Sequence, residues 1–173
     1  MYQPHVHCGF CAPAATVSHA LYPVSQHLKT PLLLELLHKA DTGSVLIFTR
    51  TKHRAKRLGE KLDKAGYRAA SLQGNLSQNK RQAALEGFRD GSFQILVATD
   101  IAARGIDVSQ ISHVINYDIP DTPEAYIHRI GRTGRAARSG DAFTLVTGDD
   151  GAMVKAIERT LGKSVDRHKL DSF

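Results

Sequence analysis

The chain of 173 residues contains no tryptophan and only two cysteines, Cys8 and Cys11. Both lie in "HVHCGFC", which gathers four soft metal ligands into seven residues and looks like half of a zinc site. A structural zinc site takes a second ligand pair roughly 12 to 20 residues away, and none follows with matching spacing. The expectation is a leader with reduced thiols and no metal. Long hydrophobic runs are also missing. The longest, near Leu32 to Leu37, is far short of a membrane span, and the N-terminus lacks a signal-peptide pattern. These absences lead to the expectation of a cytoplasmic protein with no membrane partner.

What is present suits a soluble globular protein of one domain: 42% apolar residues, 23% charged, and a length that one core can serve. The net charge of +6 favours a polyanionic partner, nucleic acid or nucleotide phosphate, although a mildly basic surface would have the same charge. Residues 1 to 14 have no periodicity and read as a leader or linker. From about residue 15 to 165 strand and helix patterns alternate, and 166 to 173 read as a tail.

The strand segments are "TVSHALYPV", "SVLIFT", "YRAASLQG", "FQILVAT", "SHVINYDI" and "DAFTLVT". The helical ones are "SQHLKTPLLLELLHKA", "TKHRAKRLGEKLDKAG", "SQNKRQAALEGFRDG", a segment from Pro123, and "GDDGAMVKAIERTLG". Alternating β and α units with nearly all-apolar strands predict an α/β fold whose mainly parallel sheet is covered by helices. Ligands of such sheets bind beyond the carboxyl ends of the strands.

Four strand ends carry residues suited to phosphate or sugar: "TRTK" (49 to 52), "QGN" (73 to 75), "TDIAARGID" (99 to 107) and "YDIPDTP" (117 to 123). Thr51 and Thr99 can donate hydroxyl protons, and Gly74 and Gly105 let main-chain N–H groups come close. Asp107 can accept from a ribose hydroxyl. Contacts of this kind hold a nucleic-acid backbone without reading its bases. Each loop taken alone is equally consistent with ordinary turn and capping chemistry.

The segment "HRIGRTGRAAR", His128 to Arg138, holds four arginines three residues apart. On one regular helix they would fan over about half the cylinder, but Gly131 and Gly134 each weaken a helix by on the order of 1 kcal/mol and allow a bend. The guanidinium groups can then converge on a polyphosphate, whose oxygens suit the arginine fork. A basic turn for nonspecific nucleic-acid contact would share this composition. The phosphate-cradling loop G-x-x-x-x-G-K-[ST] is absent. "LGKS" at 161 to 164 has Ile157 where the first glycine belongs and reads as a helix C-terminus. No paired acids follow a strand to hold magnesium, and "GDD" at 148 to 150 opens a helix, where acids favour the dipole.

With these residues in view, the sequence resembles the C-terminal RecA-like domain of DEAD-box ATP-dependent RNA helicases. "VLIFTRTK" is similar to motif IV, "QNKR" to the Q-x-x-R element, "ATDIAARGIDV" to motif V, "VINYDIP" to motif Va and "HRIGRTGR" to motif VI, in the family's order from about Ala15 to Leu161. The wording of the segments is nearest to the bacterial RhlE-type subgroup. The resemblance implies a RecA-like three-layer α/β/α domain. It implies that Arg132 and Arg135 are arginine fingers on the γ-phosphate of ATP, and that Gly105 and Asp107 lie at the ribose. It places Thr51, Gly74, Arg81, Thr99 and Arg104 along the RNA backbone. His128, Arg129 and Asp100 would couple ATP status to the partner domain, with Asp100 orienting arginines.

ATP and Mg2+ would be bound mainly by the family's N-terminal RecA-like domain, the expected partner together with RNA. That domain is not within this sequence, so the chain alone is expected to be inactive in ATP hydrolysis. A non-catalytic nucleic-acid-binding adaptor is the alternative from another class, and a helicase acting on DNA is a further one.

Overall fold

The computed structural model describes residues 17–106, 111–134 and 140–173. In chain order the elements are β1 (Val17–Pro23), α1 (Lys29–Lys39), β2 (Ser44–Phe48), α2 (Lys52–Lys64), β3 (Ala69–Leu72) and α3 (Gln78–Asp90). They continue with β4 (Ile95–Ala98), β5 (Ile111–Asn116), α4 (Pro123–Ile130), β6 (Gly140–Val146), α5 (Gly151–Leu161) and β7 (Asp166–Arg167). The HVHCGFC leader lies outside the described residues.

Helix starts follow local chemistry. Thr51, Ser77 and Thr122 are extended N-cap residues whose hydroxyls accept from the backbone N–H three residues on, and Pro123 begins α4 where its missing N–H costs nothing. Gly91 (φ 84°) and Gly162 (φ 73°) close α3 and α5 in the left-handed region. Gly162 confirms "LGKS" as a helix end. Thr147 and Asp150 form a reciprocal capping box where "GDD" opens its helix. The predicted helix over 25 to 40 divides into a 3-10 turn at Gln26–Leu28 and α1 from Lys29.

Among the described residues the seven strands form one sheet in the order β3-β4-β2-β5-β6-β1-β7, and every pairing is parallel. The sequence reading of a mainly parallel sheet thus becomes an all-parallel one. Strand pleating sends alternate residues to opposite faces. Val45, Ile47, Ile95 and Val97 join a core with Leu32, Leu33, Leu36 and Leu37 of α1 and Ala55, Leu58 and Leu62 of α2. Leu46, Phe48, Leu96 and Val114 point the other way, to Phe88 of α3, Tyr126 and Ile130 of α4, and Ile157 of α5. The result is the three-layer α/β/α arrangement.

Part of the stretch read as a tail enters the sheet. Asp166 and Arg167 pair with Ala20 and Leu21, and the His168 N–H donates to the Leu21 carbonyl at 2.8 Å. The Arg167 guanidinium grips both oxygens of Glu158 at 2.7 and 2.9 Å. This fork, with the Val165 N–H, holds the Glu158 carboxyl down at about 2.

Candidate nucleotide and nucleic-acid edge

Because all strands run one way, the loops after β3, β4, β2 and β5 emerge side by side at one carboxyl edge. These are the loops carrying "QGN", "TDIAARG", "TRTK" and "YDIPDTP". The residues singled out in sequence therefore share one side of the molecule. Thr51 and Gly74 are exposed, and a Cβ added to Gly74 would meet nothing within 4 Å. Lys52 Nζ donates to Asn75 Oδ1 at 3.2 Å and ties the loops after β2 and β3 together.

Thr99 ends the run of β4 and caps the turn that follows. Its carbonyl accepts from the Ala103 N–H at 3.0 Å and its Oγ1 from the Ala102 N–H at 3.4 Å. Arg81, reaching over from α3, donates through Nη2 to the Ala102 carbonyl at 2.9 Å, so it braces this turn from below. Arg104 is exposed at the turn's outer side. Gly105 adopts φ 76°, a conformation in which a side chain would be strained. Ile101, 77% exposed, is the large hydrophobic residue that stands out into solvent at this edge. Asp107, predicted at the ribose, lies outside the described residues.

The arginine segment divides by role. Arg129, on α4, is buried, 3% exposed. Its Nε and Nη2 donate to the two oxygens of Asp100 at 2.6 Å each, and its Nη1 donates to Asn116 Oδ1 at 3.1 Å and to the Asp118 carbonyl at 3.0 Å. The guanidinium also sits 4.8 Å from the Phe48 ring centre. Four of its five N–H groups are thus used by the protein itself. Arg132, one turn later, is half-buried and donates through Nη1 to the Ile106 carbonyl at 2.9 Å. Arg135 and Arg138 lie outside the described residues.

The bend differs from the sequence reading. Gly131 keeps a helical φ of −67° as the cap of α4, whereas Gly134, at φ 70°, makes the turn. Arg129 does not converge with the other arginines on an external anion as the sequence reading allowed, because it is buried and four of its five N–H groups are bonded within the fold.

Asp100, Arg104, Thr122, His128, Arg129 and Arg132 surround a cleft of about 260 Å³ between the turn after β4 and α4. His128 is exposed on its rim. A larger hollow of about 520 Å³ lies by the ends of β1 and β6, and none of the predicted site residues lines it. Among the described residues no group of three or more His, Cys, Asp or Glu could hold a metal ion.

Sequence reasoning passed over the centre of this edge. Asp118, buried at the end of β5, accepts from Lys29 Nζ at 3.1 Å, from the Arg50 N–H at 2.8 Å and from Arg54 Nη1. Burial alone would raise its carboxyl. The Arg50 N–H and the Lys29 and Arg54 charges outweigh that and hold it below the ordinary value. The same residue's carbonyl receives Arg129, so one amino acid joins the loop after β2 to the arginine segment. An acid closing the apolar strand "VINYD" was the available signal.

The helicase conserved C-terminal domain family matches residues 28–137. The DEAD-box ATP-dependent RNA helicase CshA of Bacillus subtilis is 44% identical over 146 residues, 84% of this chain and 30% of that protein. The chain thus spans about a third of the curated relatives it matches. Escherichia coli DEAD-box protein SrmB, in a structure bound to regulator of ribonuclease activity A, superposes with a TM-score of 0.85 at 35% identity, covering 90% of this chain and 92% of that one. Saccharomyces cerevisiae Dbp5 bound to RNA and ADP BeF3 superposes with a TM-score of 0.84 at 34% identity, covering 92% of this chain and 43% of that one.

Proposed function

The chain belongs to the family of helicase C-terminal domains of DEAD-box proteins, and from that premise we propose that it is one half of an ATP-dependent RNA helicase core. The observation that carries the reading is the shared edge: the cleft holding Arg132 and the loops bearing Thr51, Gly74, Thr99 and Arg104 open on the same side of one sheet. A partner docked on that side would meet both. Further support comes from the names of the relatives, which are ATP-dependent RNA helicases, and from the RNA-bound state of Dbp5.

In this reading Arg132 and Arg135 are the fingers that stabilise charge on the γ-phosphate, an effect worth roughly a thousandfold or more in rate. Arg132 fits the role because its anchor on the Ile106 carbonyl sets the guanidinium at the cleft wall. Gly105 and Asp107 accept the ribose. ATP with Mg2+ supplies the phosphoanhydride whose cleavage drives the cycle, and both are held mainly by the N-terminal RecA-like domain of the same protein.

Thr51, Gly74, Thr99 and Arg104 carry the RNA backbone, and Arg81 serves it by bracing the turn at Ala102. His128, Arg129 and Asp100 couple the two functions. Arg129 does so from inside, because it touches the turn after β4 through Asp100 and the end of β5 through Asn116 and Asp118. The chain alone does not turn over ATP, and the domain runs from about residue 15 through the β7 pairing at Asp166 and Arg167, with 1 to 14 as a linker. The finer RhlE-type placement rests on the wording of the motifs alone. A cytoplasmic location is proposed with it; no helix among the described residues is long and apolar enough to cross a membrane.

The test separates the two jobs of the edge in the full-length protein. Arg132→Ala should reduce ATP turnover by about a thousandfold with RNA affinity within about twofold. Arg104→Ala should weaken RNA binding several-fold, uniformly across RNA sequences, since phosphate contacts do not read bases. Normal turnover in Arg132→Ala would refute the assignment.

A further inference from the structure

A second cleft, of about 270 Å³, lies beside α2 on the face covered by α1. Thr51, His53, Arg57 and Lys61 line one wall, and Thr30 and Tyr117 line the other. We propose that this cleft binds phosphates of the RNA strand, extending the contact from the sheet edge along α2. The inference rests on the RNA-binding reading of the edge given above.

His53, Arg57 and Lys61 recur at every fourth position, so their side chains form one stripe spanning about 12 Å along the helix. Helix α2 contains six Lys and Arg residues against two acids, Glu60 and Asp63, and neither acid lines the cleft. All three stripe residues are exposed, and no ion pair among the described residues involves them.

Their neighbours are treated differently. Arg54, on the same helix, and Lys29, on α1, are both spent on Asp118. Those two cations share one carboxylate inside the fold, whereas the stripe has no acidic partner among the described residues and is available for an external anion.

The opposite wall suits a phosphodiester. Thr30 Oγ1 and the Tyr117 hydroxyl are hydrogen-bonded to each other at 2.9 Å, which fixes both in place and leaves one hydroxyl proton for a phosphate oxygen. Arginine and hydroxyl groups together are a usual means of fixing a nucleic-acid backbone. The cleft is also continuous with the edge, because Thr51 belongs both to it and to the loop after β2. A strand leaving that loop has a cationic path to follow, which favours RNA over an acidic peptide as the occupant.

Fluorescence anisotropy with the 173-residue chain tests this, using labelled oligouridylates of about six and about fifteen nucleotides, within the range one binding module covers. The double variant Arg57→Glu, Lys61→Glu should weaken the longer RNA by about tenfold and the shorter by less than about twofold. Arg57→Gln, Lys61→Gln should weaken the longer one less and lower its salt slope by about 1.4, the share of two phosphates on a single strand. Circular dichroism of both variants should match the parent, since the stripe is exposed.

If both oligonucleotides bind the charge-reversed variant normally while Arg104→Ala still weakens them, the α2 proposal is wrong and the edge reading stands. If Arg104→Ala also leaves binding unchanged, both fail. Loss of polyglutamate binding with RNA binding intact would overturn the proposal in favour of an acidic protein partner.

Discussion

At the scale of the residue, arginines three positions apart in one motif do different physical work. Arg129 is a strut: its fork satisfies the Asn116 side chain and the Asp118 carbonyl, both buried, along with Asp100. Arg129→Ala should destabilise the domain by about 3 kcal/mol by orphaning those groups, lowering Tm by about 10 °C in a thermal melt. Arg129→Lys should recover little, because an ammonium cannot reproduce the planar fork. Arg132→Ala should change Tm far less, since it gives up one bond to the Ile106 carbonyl. Equal losses in all three variants would contradict this division.

Asp118 is the matching anion. Its carboxyl is held below the ordinary value in the folded state, so the stability it contributes is present above the unfolded pKa and lost as pH falls through the folded one. The acid limb of the stability curve, below about pH 4, should therefore be shallower in Asp118→Asn. At neutral pH that variant should be less stable by about 3 kcal/mol, because Lys29, 3% exposed, loses its counter-charge. Urea melts from pH 7 to pH 3 check both statements.

At the scale of the element, the bend in the arginine segment depends on a neighbour in space. A Cβ at Gly140, the first residue of β6, would overlap Thr133 Oγ1 and stand 2.5 Å from the Gly134 nitrogen. Thr133 has little room to yield, because it is buried and its hydroxyl is bonded to the carbonyls of Ile111 and Ser112. Gly140→Ala should cost about 1 to 3 kcal/mol and reduce ATP turnover in the full-length protein with no nucleotide contact altered. Wild-type turnover and melting in this variant would show that the segment tolerates displacement.

The element scale is also where sequence reading was strongest. Continuous apolar strands such as "SVLIFT" and "FQILVAT" mark burial on both faces, and that pattern is fully local. Whether Gly131 or Gly134 bends the chain is not local. It depends on contacts such as that between Gly134 and Gly140, which no spacing rule contains. The pairing of Asp166 and Arg167 with β1 was hidden for the same reason, because a two-residue strand has no periodicity to detect.

At the scale of the whole molecule, an all-parallel sheet turns four separate loops into one surface. Each loop alone reads as ordinary turn chemistry. Thr51 and Thr99 do serve as a helix cap and a turn cap, so the structural and functional readings of these residues coexist. The position of Thr51, Gly74, Thr99 and Arg104 on one side was legible once the strands were read as parallel. The role of Asp118 was not, because its partners lie up to 89 positions away.

The central claim is that this domain holds half of an ATPase site, completed by its N-terminal partner domain. ATP hydrolysis by the 173-residue chain, measured alone and then mixed with the purified N-terminal domain and RNA, tests that claim most directly. No turnover above background is expected alone, and measurable turnover on mixing, abolished again when the chain carries Arg132→Ala. Robust hydrolysis by the chain alone, or undiminished hydrolysis in the mixture with Arg132→Ala, would contradict the account.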